Sequence, residues 1–335
     1  MSRPASRLRR ALSSVRSRLG QGSGDAVGGP TRSTPLGSRA RLVQHGEGRR
    51  LVTKQLGTRS WLVHPRRGPH RRTVTTFGPA DHQTFLLTPE GKPDHHVPLL
   101  KHVGHEHVGQ VLHRLGVTCV LDVGANRGQY GQRLRETGYT GRIVSFEPLD
   151  HLADQVADVA ADAPDWTLMR CALGREDSKA EIHVDTGKGT LSSMLEPSDF
   201  GRSWNQRLRE EPTMQTVQVR RLDDVWDEVV EGLEDPRVFL KLDTQGFDLE
   251  AFAGAGERVA DVLAMQSELA SMPIYDGMPR MTEQLETYQD AGFVLSGLFP
   301  VGVHKPTMGV IEFDAVMVRP EAVRAAKRAG RRGGR

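Results

Sequence analysis

Apolar and polar residues alternate with two different periods along the middle of this chain, and the switching between them predicts its elements. From residue 99 to 115, Leu100, Val103, Val108, Val111 and Leu112 recur at helical spacing. An apolar run at 117–123 then reads as a strand, and helix and strand patterns follow in turn: helix 129–137, strand 141–146, helix 151–161, strand 167–171. Such βαβ alternation implies a parallel sheet. The second half predicts strands at 180–184 and 216–220, a helix at 222–231, a strand at 238–242, a helix at 247–253, a strand at 262–268 and a helix at 281–291. Strands at 293–298 and 311–318 close the pattern without a helix between them, which implies an antiparallel pair at the sheet edge. Residues 185–215 are polar and carry Gly187, Gly189, Ser192 and Ser193. A structureless stretch of that length is unusual inside a domain, so it is a candidate substrate loop or lid.

Outside this core the pattern weakens. Short apolar runs at Trp61-Leu62-Val63 and Thr84-Phe85-Leu86-Leu87 predict a hairpin or irregular cover. Residues 21–50 are rich in Gly, Ser, Pro and Arg with little apolar periodicity, which predicts a disordered linker. In residues 1–19, Leu8, Leu12, Val15 and Leu19 form a helical stripe among six arginines, the makings of a basic amphipathic helix on an anionic surface.

Charge sharpens this division. The formal net charge of +3 hides 17 Lys+Arg against 2 acids in residues 1–72, 22 against 39 in residues 73–320, and 6 against 1 in residues 321–335. A basic, largely disordered N-terminal region, an acidic globular domain over 73–320 and a basic C-terminal tail are therefore expected. Peripheral contact with an anionic membrane through residues 1–72 follows as a candidate role. An acidic body is a poor cleft for nucleic acid, and no nucleic-acid motif accompanies the basic ends. No apolar stretch is long enough to span a bilayer. Cys119 and Cys171, the two cysteines, have no CxxC spacing, so a reducing cytoplasmic setting is expected. His95, His96, His102, His105, His107 and His113 cluster without an HExxH pattern, and no metal site is expected from them.

The chemistry concentrates in VLDVGANRGQYG, residues 120–131, and RIVSFEP, residues 142–148. Strand, glycine turn and helix start are followed by a second strand ending in Glu147, about twenty residues beyond the glycines, where a doubly wound sheet presents a carboxylate to ribose hydroxyls. The spacing Asp122-x-Gly124-x-x-x-Gly128, with Ala125 and Asn126 between the glycines, lacks the G-x-G-x-x-G cradle that a pyrophosphate needs. Asp122 would repel a phosphate and attract a sulfonium or an amino group. S-adenosyl-L-methionine fits this corner better than NAD.

These two stretches, with CALG at 171–174, RLDD at 221–224, FLKLDTQGFDLEAFAGAG at 239–256 and FDAVMVRP at 313–320, resemble the FkbM family of S-adenosylmethionine-dependent methyltransferases from about residue 100 to 320. The resemblance implies an α/β class I methyltransferase fold, Rossmann-like, with a seven-stranded sheet whose last strand is antiparallel. It also implies methylation of a hydroxyl on a sugar, glycolipid or secondary metabolite. Gly124, Ala125, Asn126 and Gly128 would line the methionine and ribose end, and Cys171 and Ala172 would flank the adenine. Asp243 at a strand tip, Glu268 at the next and His304 before the last strand are the candidate bases for an acceptor hydroxyl. For Asp243 the competing reading is a helix N-cap. Two other functions stand beside this one: an RNA methyltransferase using the basic tails, and an inactive methyltransferase fold kept as a binding module.

Overall fold

A computed structural model of the protein describes the backbone of six strands between residues 32 and 87, and residues 96–332 except 164, 186, 188 and 212. The chain divides into two compact units, Met1–His95 and His96–Arg335.

In the first unit, β1 (Arg32–Pro35), β2 (Ala40–His45), β3 (Arg49–Gln55), β4 (Trp61–Pro65), β5 (Val74–Phe77) and β6 (Thr84–Leu87) pair in chain order as an antiparallel meander. Along β2 and β3, Leu42 stands opposite Val52 and Val43 opposite Leu51. The amphipathic stretch at 1–19 lies outside the described residues.

The second unit opens with a helix at His96–Leu115. Its main sheet contains β7 (Cys119–Val123), β8 (Arg142–Phe146), β9 (Trp166–Met169), β13 (Val238–Leu242), β14 (Val262–Ala270), β15 (Val294–His304) and β16 (Gly309–Val318) in the order β15-β16-β14-β13-β7-β8-β9. β16 runs antiparallel between β14 and β15. The expected antiparallel pair is therefore present, with β15 rather than the last strand at the edge. A side sheet joins β10 (Ala172–Leu173), β12 (Thr213–Arg220) and β11 (Ser178–Val184).

β7 and β13 are buried along their whole length. Helices on both faces explain their unbroken apolar character. Leu121, Val123, Leu240 and Leu242 pack on one face with Trp226, Phe252 and Tyr288, while Val120 and Phe239 pack on the other with Leu112, Leu115 and Trp166. Each such side chain contributes roughly 1.5–3 kcal/mol by burial. The basic C-terminal segment forms a helix at Pro320–Arg332. Ala322 is buried, and Val323 and Ala326 pack on the second of these clusters, leaving Arg324, Lys327 and Arg328 exposed. Among the described residues no helix is long and apolar enough to cross a membrane.

Candidate functional site

The sheet order reverses between β8 and β13, on either side of β7, and open α/β sheets place their ligands at such a switch point. There the chain leaves β7 through Gly124, at φ 75°, whose backbone N–H donates to the Phe146 carbonyl at 3.1 Å. A Cβ on Gly124 would lie 2.0 Å from the carbonyl oxygen of Asp243. Glycine is thus required here because the tip of β13 closes against the tip of β7. Asn126 follows in the left-handed region, at φ 52°, and donates its backbone N–H to Glu147 Oε2 at 2.7 Å. The other carboxylate oxygen of Glu147 accepts from Leu149 N at 3.0 Å. Burial pushes the Glu147 carboxyl up to about 7, against the opposing pull of these two N–H donors.

Gly124, Asn126, Glu147, Ala172, Asp243 and Glu268 line one cavity of about 570 Å³. Phe146, Leu152, Leu173 and Ile182 give part of it an apolar wall beside Glu147. A buried carboxylate set beside an apolar slot has the chemistry an adenosine requires, one part for the ribose diol and one for the base.

Five expected residues stand elsewhere. Asp122 is fully buried beneath the turn, 3.0 Å from Lys241 Nζ, so its charge is compensated inside the protein and does not face the cavity. Ala125 is buried, and Gly128, at φ 74°, precedes the helix at Gln129–Glu136 where a Cβ would lie 3.4 Å from the Trp166 ring. Cys171 is buried, and burial raises its thiol to about 11. His304 ends β15, bonded through Nδ1 to Thr307 Oγ1 at 2.8 Å and edge-on to Phe200 at 5.4 Å. Glycine-turn spacing locates a backbone path, and the side chains along that path divide between cavity and core according to packing.

Asp243 does not cap the following helix. That helix, Asp248–Ala253, begins after Phe247 with no side-chain cap. Asp248 instead accepts from Thr244 N at 2.8 Å and from Ser267 Oγ at 2.7 Å, pinning the turn that carries Asp243. Between Asp243 and Glu268 lies Gln245, at φ 53°, a cavity residue that the sequence patterns did not single out. Its amide donates to Glu268 Oε2 at 2.7 Å and reaches Asp243 Oδ1 at 3.4 Å. Glu312 of β16 also lines the cavity. Burial, then Glu312 and Asp243, hold the Glu268 carboxyl well above the usual carboxylate range. Glu312 is pushed up to about 7 by burial and by Asp243, and Asp314 to about 6 by the same causes. Glu268 and Glu312, both lining the cavity, therefore hold their protons unusually well.

The polar segment after β11 is an ordered cover over this cavity rather than a structureless loop. It contains helix Asp199–Trp204 and a 3-10 turn at Gln206–Arg209. Leu191, Ser192, Met194, Trp204, Asn205 and Arg207 face the cavity. Ser198 N donates to the Ile274 carbonyl at 2.9 Å, Asp276 N to Glu196 O at 2.8 Å, and Ser193 Oγ to Gln245 O at 2.8 Å. These bonds stitch the cover to the tips of β13 and β14.

In the histidine cluster, His107 bonds Ser296 Oγ through Nε2 at 2.9 Å and packs on Phe299, and burial lowers its pKa. No group of three or more His, Cys, Asp or Glu side chains poised for a metal occurs among the described residues.

The strand order and the switch-point cavity together define a class I methyltransferase fold. A family model described as the methyltransferase FkbM domain matches residues 122–295, more than half of the sequence, and the chain belongs to that family of S-adenosylmethionine-dependent methyltransferases. Curated proteins gave no significant match. Among solved structures, Aeropyrum pernix fibrillarin with natively bound S-adenosyl-L-methionine is 11% identical at a TM-score of 0.37, covering 86% of this chain and 99% of that one. Methanococcus jannaschii fibrillarin is 10% identical at a TM-score of 0.38, over 87% and 98% of the two chains. Burkholderia thailandensis 1,6-didemethyltoxoflavin-N1-methyltransferase, bound to its namesake compound and S-adenosylhomocysteine, is 12% identical at 0.33, over 74% and 95%.

Proposed function

We propose that the protein is an O-methyltransferase whose acceptor is a hydroxyl of a sugar, glycolipid or related metabolite. The observation that carries this reading is the shared cavity: Glu147 with its apolar slot on one side, Asp243 and Glu268 on the other. S-adenosylmethionine supplies a methyl carbon already activated by the sulfonium. The chain's own work is then to position the reactants and to accept a proton. Glu147 holds the ribose hydroxyls, Ala172 and the apolar wall hold the adenine, and the backbone at Gly124 and Asn126 borders the methionine end. Asp243 receives the acceptor's hydroxyl and takes its proton, a contribution of about 10²–10⁴ in rate, while Glu268, which holds its own proton more tightly than an ordinary carboxyl, orients the acceptor. His304 does not line this cavity and is not assigned that role. The ordered cover, through Trp204 and Asn205, excludes water from the acceptor end. A wall bearing Asp243, Glu268 and Glu312 disfavours a phosphodiester backbone and favours a neutral, hydroxyl-rich acceptor. Residues 1–72 supply peripheral contact with an anionic membrane.

The test is transfer of radiolabelled methyl from S-adenosylmethionine into fractionated glycan, glycolipid and metabolite extracts, with RNA as a parallel acceptor. Label in an alkali-stable ether of a glycan or metabolite is the expected result. Label in RNA, or binding of the methyl donor with no transfer to any fraction, points to one of the two competing functions.

A further inference from the structure

We infer that Lys241 is a positioning residue that builds the methyl-donor site from beneath, holding the β7 turn and the β13 tip in one arrangement. It sits in VFLKL, residues 238–242, a strand otherwise apolar and buried along its whole length, where a lysine is costly unless every donor is used. The side chain is 3% exposed. Its ammonium lies 3.0 Å from Asp122 Oδ1 and 3.6 Å from Asp243 Oδ2. It also donates to the carbonyls of Val123 at 3.1 Å and Gly124 at 2.9 Å, and lies 5.4 Å from the centroid of the Tyr130 ring. One cation thus grips the last strand residue before the cofactor turn, the turn's first glycine, and the carboxylate proposed to act on the acceptor. Burial alone would lower the lysine's pKa, but Asp122 and Asp243 more than offset this and it stays charged.

A buried ion pair often contributes little net stability compared with apolar residues of the same volume. The two carbonyl bonds are a separate matter, because they fix the direction in which Gly124, Ala125 and Asn126 leave the strand. Asn126 in turn donates to Glu147. The inference rests on the cavity being the methyl-donor site.

Three proteins separate positioning from mere stability: the wild type, Asp122→Asn, and the double variant Asp122→Asn/Lys241→Met, which removes both buried charges together and leaves only Asp243, whose side chain is 41% exposed, without the ammonium. Each is melted and then titrated calorimetrically with S-adenosylhomocysteine. The double variant is expected to keep a cooperative melt yet bind about ten- to a hundredfold more weakly, the loss of a buried charged donor expressed as affinity. Asp122→Asn, which keeps the ammonium on both carbonyls, should lose less. Wild-type affinity in a folded double variant overturns the inference and leaves the pair a stability device. Failure of the wild type to bind S-adenosylhomocysteine strikes the donor-site reading instead. If the double variant does not fold, wild-type protein labelled with ¹⁵N-lysine answers the same question. Slower hydrogen exchange and a shifted Lys241 ammonium resonance on adding S-adenosylhomocysteine are expected, and an unchanged resonance overturns the inference.

Discussion

The side-chain amide of Gln245 donates to Glu268 Oε2 at 2.7 Å, while its own carbonyl oxygen accepts the Tyr275 hydroxyl at 3.2 Å. The amide is therefore fixed in orientation, with its N–H groups toward the carboxyls and its oxygen toward the tyrosine. A donor is thus wedged between the two acids, while the other oxygen of Asp243 lies 3.6 Å from Lys241 Nζ.

Gln245→Glu removes that donor and adds a third carboxyl to the group. Its cost should depend on pH, because like charges in a buried cluster are relieved by protonation. We expect a loss of about 1–3 kcal/mol at pH 8 that largely disappears at pH 5. Thermal melts at the two pH values decide it, and an equal loss at both contradicts the proposed geometry.

Asp243→Asn should lower turnover by about 10²–10⁴. Its side chain is 41% exposed, so stability should change by no more than about 1 kcal/mol. Methyl transfer measured on an active acceptor fraction, normalised to folded protein, checks this. A variant that melts early but keeps its activity per folded molecule would return Asp243 to a structural role.

Stability in the absence of cofactor should fall as pH rises from about 4.5 to 7. The folded-state values of Glu147 and Glu312, about 7, and Asp314, about 6, all lie above those of free carboxyls. In this window the folded chain binds protons that the unfolded chain has released, so the stabilisation is greatest at the acid end and is lost toward pH 7. Glu147 alone accounts for about 3 kcal/mol. Melting the wild type and Glu147→Gln across this range should show a shallower slope in the variant; identical slopes would remove Glu147 from the account.

Deleting residues 1–95, the whole first unit, should leave binding of S-adenosylhomocysteine intact but abolish the salt-sensitive attachment to anionic vesicles proposed for residues 1–72. Each basic residue near such a surface contributes about 1 kcal/mol, decaying within a Debye length. Co-sedimentation of full-length and truncated protein at low and high salt tests this, and equal partitioning of the two excludes it.

Much of the fold was legible because β7, β8, β13 and β14 are apolar runs between helices, a pattern that two-sided burial imposes. The place of Glu147 at the cavity was legible for a related reason: an acid ending such a strand stands at the switch point of the sheet. The rest was hidden by different physics. Gln245 is itself a left-handed turn residue, and no periodicity marks which way such a side chain points. Glu312 sits mid-strand on β16, and it reaches the cavity because that strand lies beside β14, a topological fact with no local signature. Asp122 seemed free to meet a ligand until Lys241 was placed opposite it. A lone charge in VFLKL was the available signal, since a lysine inside a buried strand demands a counter-charge. The cover over 185–215 was sensed by its polarity and length, but its helix and its stitching to 273–276 depend on contacts made across the chain.

The most direct test of the account is calorimetric titration of wild type and Glu147→Ala with S-adenosylhomocysteine and with NAD. We predict single-site binding of S-adenosylhomocysteine to the wild type, weakened by about 1–3 kcal/mol in the variant, and no binding of NAD. Binding of NAD, or an unchanged affinity for S-adenosylhomocysteine when Glu147 is removed, would contradict the assignment of this cavity to the methyl donor.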